Sequence, residues 1–260
     1  QTEGETADRA ATTSPAGGAP RAPGTEVEAL SGAVGDALEC DRPPAHKDEG
    51  KKRALPGNPT RIPKLSAPLS RLLLHGIDGV IAEGCESGGH IGELTTMTLV
   101  PQVCDAVNIP VLAAGGIADG RGIAAALMLG ACGVQCGTRF LVAEECTVHQ
   151  NYKNKILKAK DIDTIATGKR LGHPVRCLKN PFTRDLFKQE YNPNISDEEL
   201  EKMGAGALRK AAKEGDEKNG SFMAGQCAAM VHKEQPAKEM IEEMFAEAEQ
   251  ILRGASQFCK

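Results

Sequence analysis

The sequence has 260 residues, 40% of them hydrophobic and 25% charged, with a formal net charge of −4. That length suits one large domain or two small ones, and the acidic balance, with no basic stripe, excludes an evident nucleic-acid-binding domain. No apolar run reaches the roughly 18 residues of a membrane span, no basic-then-apolar leader follows Gln1, and the nine cysteines include no C-x-x-C pair. A reduced cytoplasmic chain, with cysteines as small core residues and no structural zinc, is expected.

Residues 1–65 hold eight of the 15 prolines and eight of the 29 glycines, with no aromatic residue and no Met. Their large aliphatics stand alone. Such a segment buries too little apolar surface to offset the entropy of ordering it. Disorder is expected there, with at most a weak helix around Glu26 to Leu38. The globular part is expected from about residue 66, first as strand–helix units over 66–145, then as a mainly helical region of the same domain over 146–260.

Asp78 to Gly84 is a short apolar run bounded by glycine and predicts a buried strand. The spacing of Met97, Leu99, Val100, Val103 and Val107 predicts a helix over Thr95 to Val107. Pro110 to Gly115 predicts a second strand, Gly120 to Leu129 an Ala-rich helix, and Gly133 to Gly137 a third strand. Strands alternating with helices at this interval imply parallel βαβ units. Beyond residue 145, helices are predicted from Asn151 to Ala159, from Pro181 to about Tyr191, from an N-cap at Ser196 to Lys213, from Ser221 to His232, and from Pro236 to Leu252. Asp163 to Gly168 and Pro174 to Leu178 read as two short strands or as extended loops. The last helix places Met240, Ile241, Met244, Phe245, Ala248, Ile251 and Leu252 on what is expected to be a packing face.

Chemistry is concentrated at the ends of the three strands. Ala114-Gly-Gly-Ile117 and Gln135-Cys-Gly-Thr138 are two glycine-rich turns about twenty residues apart. Either alone reads as a tight turn. Together, following consecutive parallel strands, they read as a phosphate site, because glycine lets backbone N–H groups approach an anion. Gly88-Gly89-His90 follows the first strand and puts an imidazole able to exchange a proton near neutral pH on the same rim. His75, His149, His173 and His232 lack such a setting. Glu83 ends the first strand and reads as a catalytic base or a buried, hydrogen-bonded brace, the brace being favoured. Arg139 reads as a phosphate neighbour or a cap. The segment Gly220 to Gln226 reads as a helix start that faces a cofactor or packs closely on another element.

Three stretches carry a family likeness: Ile81-Ala-Glu-Gly-Cys-Glu-Ser-Gly-Gly-His-Ile-Gly92, Leu112-Ala-Ala-Gly-Gly-Ile-Ala-Asp-Gly120 and Val134-Gln-Cys-Gly-Thr-Arg-Phe140. They resemble the FMN-dependent enoyl-acyl-carrier-protein reductase II, which belongs with the nitronate monooxygenases. Lys158 to Asp163, Val175 to Asn180, Met203 to Leu208 and Met223-Ala-Gly-Gln226 are similar to the reductase branch. The likeness runs from about residue 70 to 252.

The resemblance implies a (β/α)8 TIM barrel with FMN at its carboxyl rim and NADH or NADPH as reductant. The substrate would be a trans-2-enoyl thioester on acyl carrier protein, in fatty acid biosynthesis. It implies that Gly115, Gly116, Ile117, Gly137 and Thr138 hold the FMN phosphate, that Gln135 approaches the flavin, and that Gly88 and Gly89 give it room beside the catalytic His90. A monovalent cation site, without assignable ligands, and a homodimer are further implications; no nucleic-acid or membrane partner is expected. Nitronate oxidation is the alternative activity.

Only the last three βα units of such a barrel are legible, where eight are needed. The fold expected is therefore α/β: an incomplete barrel with a helical C-terminal region and a disordered N-terminal segment. A truncated or rearranged gene product is expected, its first 65 residues an unrelated extension and its activity weak or absent.

Overall fold

The computed structural model of the protein describes residues 78–259. The expected disorder over 1–65, the weak helix near Glu26 to Leu38 and the first twelve residues of the expected strand–helix region, 66–77, lie outside the described residues. In chain order the elements begin with β1 (Val80–Glu83), the two-residue β2 (Gly89–His90) and α1 (Thr96–Ala106), followed by β3 (Val111–Ala114), α2 (Gly120–Met128) and β4 (Gly133–Gln135). Then come α3 (Gln150–Leu157), β5 (Thr164–Thr167), β6 (Val175–Leu178), α4 (Pro181–Gln189), α5 (Asp197–Gly204), the single turn α6 (Ala207–Arg209) and α7 (Ala237–Gly254).

The first sheet is parallel, in the order β1-β3-β4. Glu83 stands in register with Ala114, and Ala114 with Gln135. One face, with Ala82, Val111 and Ala113, is buried against Val100 and Val103 of α1, Ile123 and Ala124 of α2, and Met244 and Ala248 of α7. The alternation of strand side chains sends Glu83, Ile81 and Gln135 to the other face, where Ile81 is 51% exposed. The second sheet is antiparallel, in the order β2-β6-β5. A second apolar cluster gathers Tyr152, Ile156, Leu178, Phe222 and Met240, with the Tyr152 and Phe222 rings 4.9 Å apart. Among the described residues no helix is long and apolar enough to cross a membrane.

Capping residues start the helices where the sequence placed them. Asp119 accepts the Gly122 N–H, and Asn180 and Ser196 form capping boxes with Thr183 and Glu199.

Four expectations are corrected. The helix starting at Ser196 stops at Gly204, and the chain turns through Gly206 (φ +73°) before α6 and a π turn over Lys210–Glu214. Ser221 to His232 is not an α-helix: only a 3-10 turn forms, over Gln226–Met230. Its backbone is committed elsewhere, since Phe222 O accepts from Leu178 N, Met223 bridges to Cys177, and Gln226 N donates to Glu86 O. On α7, Met240, Met244 and Ala248 are buried, whereas Ile241, Phe245 and Ile251 are exposed. The apolar stripe is therefore wider than the face that packs. Lastly, Cys132 is exposed rather than core, while Cys136 is partly buried against the core.

Candidate functional site

Parallel strands point their carboxyl ends the same way, so the loops leaving β1, β3 and β4 share one rim. The loop after β3 begins with Gly115 (φ +94°) and Gly116 (φ +77°). Two successive residues in that region turn the backbone sharply and exclude a β-carbon without strain. Beside it, the loop after β4 presents Gly137, where an added β-carbon would meet no heavy atom within 4 Å. The N–H groups of Gly115, Gly116, Ile117, Gly137 and Thr138 donate to no acceptor among the described residues. Five N–H groups without an acceptor among the described residues thus lie on two adjacent strand ends, and backbone N–H groups of this kind are donors suited to an anion.

The β1 loop is built around Glu86. Its carboxylate accepts the Thr96 N–H at 2.9 Å and lies 3.1 Å from the Thr96 hydroxyl, capping α1. The Thr96 hydroxyl is also 2.9 Å from Gly115 O, and its single proton can serve one of these acceptors at a time. Glu86 thus links the β1 loop to the β3 turn. The brace role expected for Glu83 belongs to Glu86 instead: Glu83 is exposed and makes no hydrogen bond among the described residues. In the same loop, Ser87 Oγ is buried without a hydrogen-bond partner among the described residues.

Gly88 and Gly89 carry this loop past Met223 to Gly225. A β-carbon on Gly88 would lie 2.5 Å from the Ala224 carbonyl carbon, and one on Gly225 2.6 Å from Glu86 O. Thr138 is buried and its hydroxyl accepts the Gly225 N–H at 2.9 Å. The Met223 to Gln226 segment is therefore a backbone wedge between the β1 and β4 loops, which is the close packing the sequence allowed and not a helix N-terminus. His90 is exposed on β2, paired with Val175 of β6, its ring centroid 6.5 Å from that of His173. His173, dismissed from sequence, therefore stands close to the candidate catalytic imidazole. Arg139 is buried and donates to Gln235 Oε1 at 2.7 Å and to Lys233 O at 3.3 Å, as a brace for the segment before α7. Burial lowers its pKa from the usual range.

The structure thus brings Gly115, Gly116 and Ile117 together with Gly137 and Thr138, and hangs Gly88, Gly89 and His90 on the neighbouring loop. Gln135 closes β4 on the exposed face, in the register row of Glu83. Glu86, Thr96 and His173 were missed. Glu86 caps a helix ten positions further on, a span at which no capping pattern is recognisable.

The family model described as nitronate monooxygenase matches residues 67–247. The chain belongs to the nitronate monooxygenase family. A probable nitronate monooxygenase of Staphylococcus saprophyticus is 41% identical over 189 residues, covering 68% of this chain and 52% of that protein. Among solved structures, FabK of Thermotoga maritima is 49% identical with a TM-score of 0.69, covering 74% of this chain and 61% of that one. A nitroalkane oxidase of Streptomyces ansochromogenes is 34% identical with a TM-score of 0.60, covering 71% and 55%. This nitronate monooxygenase family chain spans about half the length of the curated relatives it matches. Both expected features of the rim, the paired glycine turns and the histidine loop, fall inside the matched region.

Proposed function

We propose that this family member is an FMN-dependent oxidoreductase that reduces the carbon–carbon double bond of a trans-2-enoyl thioester on acyl carrier protein, with NADH or NADPH as reductant. The observation that carries the reading is the set of five N–H donors on the ends of β3 and β4. A terminal phosphate fits that donor set in charge, and the open space at Gly137 leaves room for it. Gly115, Gly116, Ile117, Gly137 and Thr138 would hold the phosphate, with Gln135, Gly88 and Gly89 beside the ring system. When bound, FMN supplies the redox chemistry that joins a nicotinamide to an alkene. The protein's part is positional: the β1 loop, fixed by Glu86 and the Met223 to Gln226 wedge, presents an exposed His90. That imidazole can hold or deliver a proton at the substrate near neutral pH. The three parallel strands read as consecutive staves of a (β/α)8 barrel, and the likeness to FabK supports this.

The second reading is nitronate oxidation at the same site, supported by the family model and by the curated relatives. The 49% identity to FabK supports the first reading, and the 41% identity to the probable nitronate monooxygenase supports the second equally. Purified protein supplied with FMN decides between them: NADH consumption with crotonyl thioester and none with a nitronate is expected. Nitronate consumption without enoyl reduction overturns the reductase, and failure to bind FMN overturns both.

A further inference from the structure

The histidine loop is gripped at both ends by one residue that the flavin reading does not use. Arg176 of β6 is buried, 9% exposed, and no carboxylate pairs with it among the described residues. A guanidinium taken out of water needs strong acceptors. It finds Cys85 O, to which Nε donates at 3.1 Å and Nη2 at 3.0 Å, while Nη1 donates to Thr164 Oγ1 of β5 at 3.2 Å. The backbone of the same residue is the ladder partner of Gly89. Side chain and backbone of Arg176 therefore fasten the loop at Cys85 and at Gly89, immediately before His90. Two contacts extend the hold: Ile91 N donates to Pro174 O at 3.0 Å, and His173 sets its ring edge-on to His90.

Glu86, through Thr96 and the Met223 to Gln226 wedge, holds the middle of the loop. Arg176 is what holds its two ends, at Cys85 and at the conformationally permissive Gly89. We propose that Arg176 is the positioning residue of the histidine loop: its guanidinium, anchored to β5, holds the Cys85 carbonyl and so sets where His90 stands over the rim. The inference rests on the flavin reading for what His90 does, but not for where it is held. Arg176 touches no reacting atom in this account; it acts through the loop.

The test uses the full chain with Arg176→Gln and Arg176→Lys. Hydrogen–deuterium exchange of a peptide spanning residues 85–92 is compared with one spanning α7. Removing a charged donor from a loop carbonyl raises local opening by about tenfold or more. Arg176→Gln is expected to speed exchange over 85–92 by that factor with α7 unchanged, and Arg176→Lys to give a smaller rise, since an ammonium can reach one acceptor but not both. Unchanged exchange over 85–92, or an equal rise in both peptides, overturns the proposal. If Arg176→Gln does not fold, Arg176→Lys carries the same comparison. In the FMN-loaded protein, turnover should fall about tenfold with a shifted pH profile while FMN affinity stays within about threefold. Parallel loss of FMN affinity and turnover contradicts a positioning role. Wild-type protein that binds no FMN sinks the flavin reading alone, and the exchange comparison still decides Arg176.

Discussion

Gly225→Ala tests the wedge that joins the rim loops. Gly225 has φ −76° and ψ 171°, a conformation alanine adopts freely, so any effect is steric. The new methyl would sit 2.6 Å from Glu86 O and 3.3 Å from Gly88 N, both main-chain atoms. Relief requires the wedge and the β1 loop to separate. That strains the Gln226 N to Glu86 O bond of 2.8 Å and the Gly225 N to Thr138 Oγ1 bond of 2.9 Å. Overpacking costs about 1–3 kcal/mol, and each weakened neutral hydrogen bond about 1 kcal/mol. The lower entropy of the unfolded alanine chain returns about 0.4–1 kcal/mol. The net loss is roughly 2–4 kcal/mol, or about 5–15 °C in Tm for a domain of this size. Thermal unfolding followed by circular dichroism measures it. Gly137→Ala is the control, because a methyl there meets nothing within 4 Å, and it should stay within about 0.5 kcal/mol of wild type. A Gly225→Ala protein as stable as Gly137→Ala would refute the steric argument.

Other consequences are equally open to measurement. Glu86→Ala removes the carboxylate cap from Thr96 and should cost about 1 kcal/mol in urea unfolding; no change would mean the cap is solvated equally well without it. Burial, with neighbouring Cys227, pushes the Cys136 thiol up to about 12, and burial pushes Cys177 up to about 11 against the opposing Ser221 hydrogen bond. Alkylation at pH 8 read by mass spectrometry should therefore mark exposed Cys132 and Cys259 first and spare those two until unfolding. Labelling of Cys136 as fast as Cys132 would contradict this burial. For Asp119, burial raises the carboxyl pKa, but hydrogen bonds from Arg121 and the Gly122 N–H more than offset it, leaving it lowered. A lowered folded-state pKa stabilises above the unfolded value of about 3.9 and is lost as pH falls through the folded one. Asp119→Asn keeps a capping oxygen without titrating, so it should flatten the acid limb of stability below about pH 4; an unaltered limb would place the titration elsewhere.

Much of this was readable in the residues because the signals were local. Glycine-bounded apolar runs marked β1, β3 and β4, and Asn180 and Ser196 carried their own capping patterns. Consecutive parallel strands put the Gly115–Gly116 and Gly137 turns side by side without further information. What escaped depends on long-range partners. Ser221 to His232 has helical composition, yet its backbone groups are spent on Leu178, Thr138 and Glu86, and tertiary hydrogen bonds outweigh propensity. Gly89–His90 as a strand needs β6, 85 residues later, to complete the ladder. Glu83 and Glu86 are alike in sequence; the pleat sends the first to the open face, while the loop folds the second back onto α1. The exposure of Ile241 and Phe245 was equally invisible, since an apolar stripe does not reveal how much of it a neighbour covers.

The central claim is that the donors after β3 and β4 grip the phosphoryl end of a flavin. Titrating the purified chain with FMN and, separately, with riboflavin, followed by quenching of flavin fluorescence, isolates the phosphate's contribution. Charge-assisted hydrogen bonds from these donors predict at least about 100-fold tighter binding of FMN. Equal affinities for the two flavins would contradict the account.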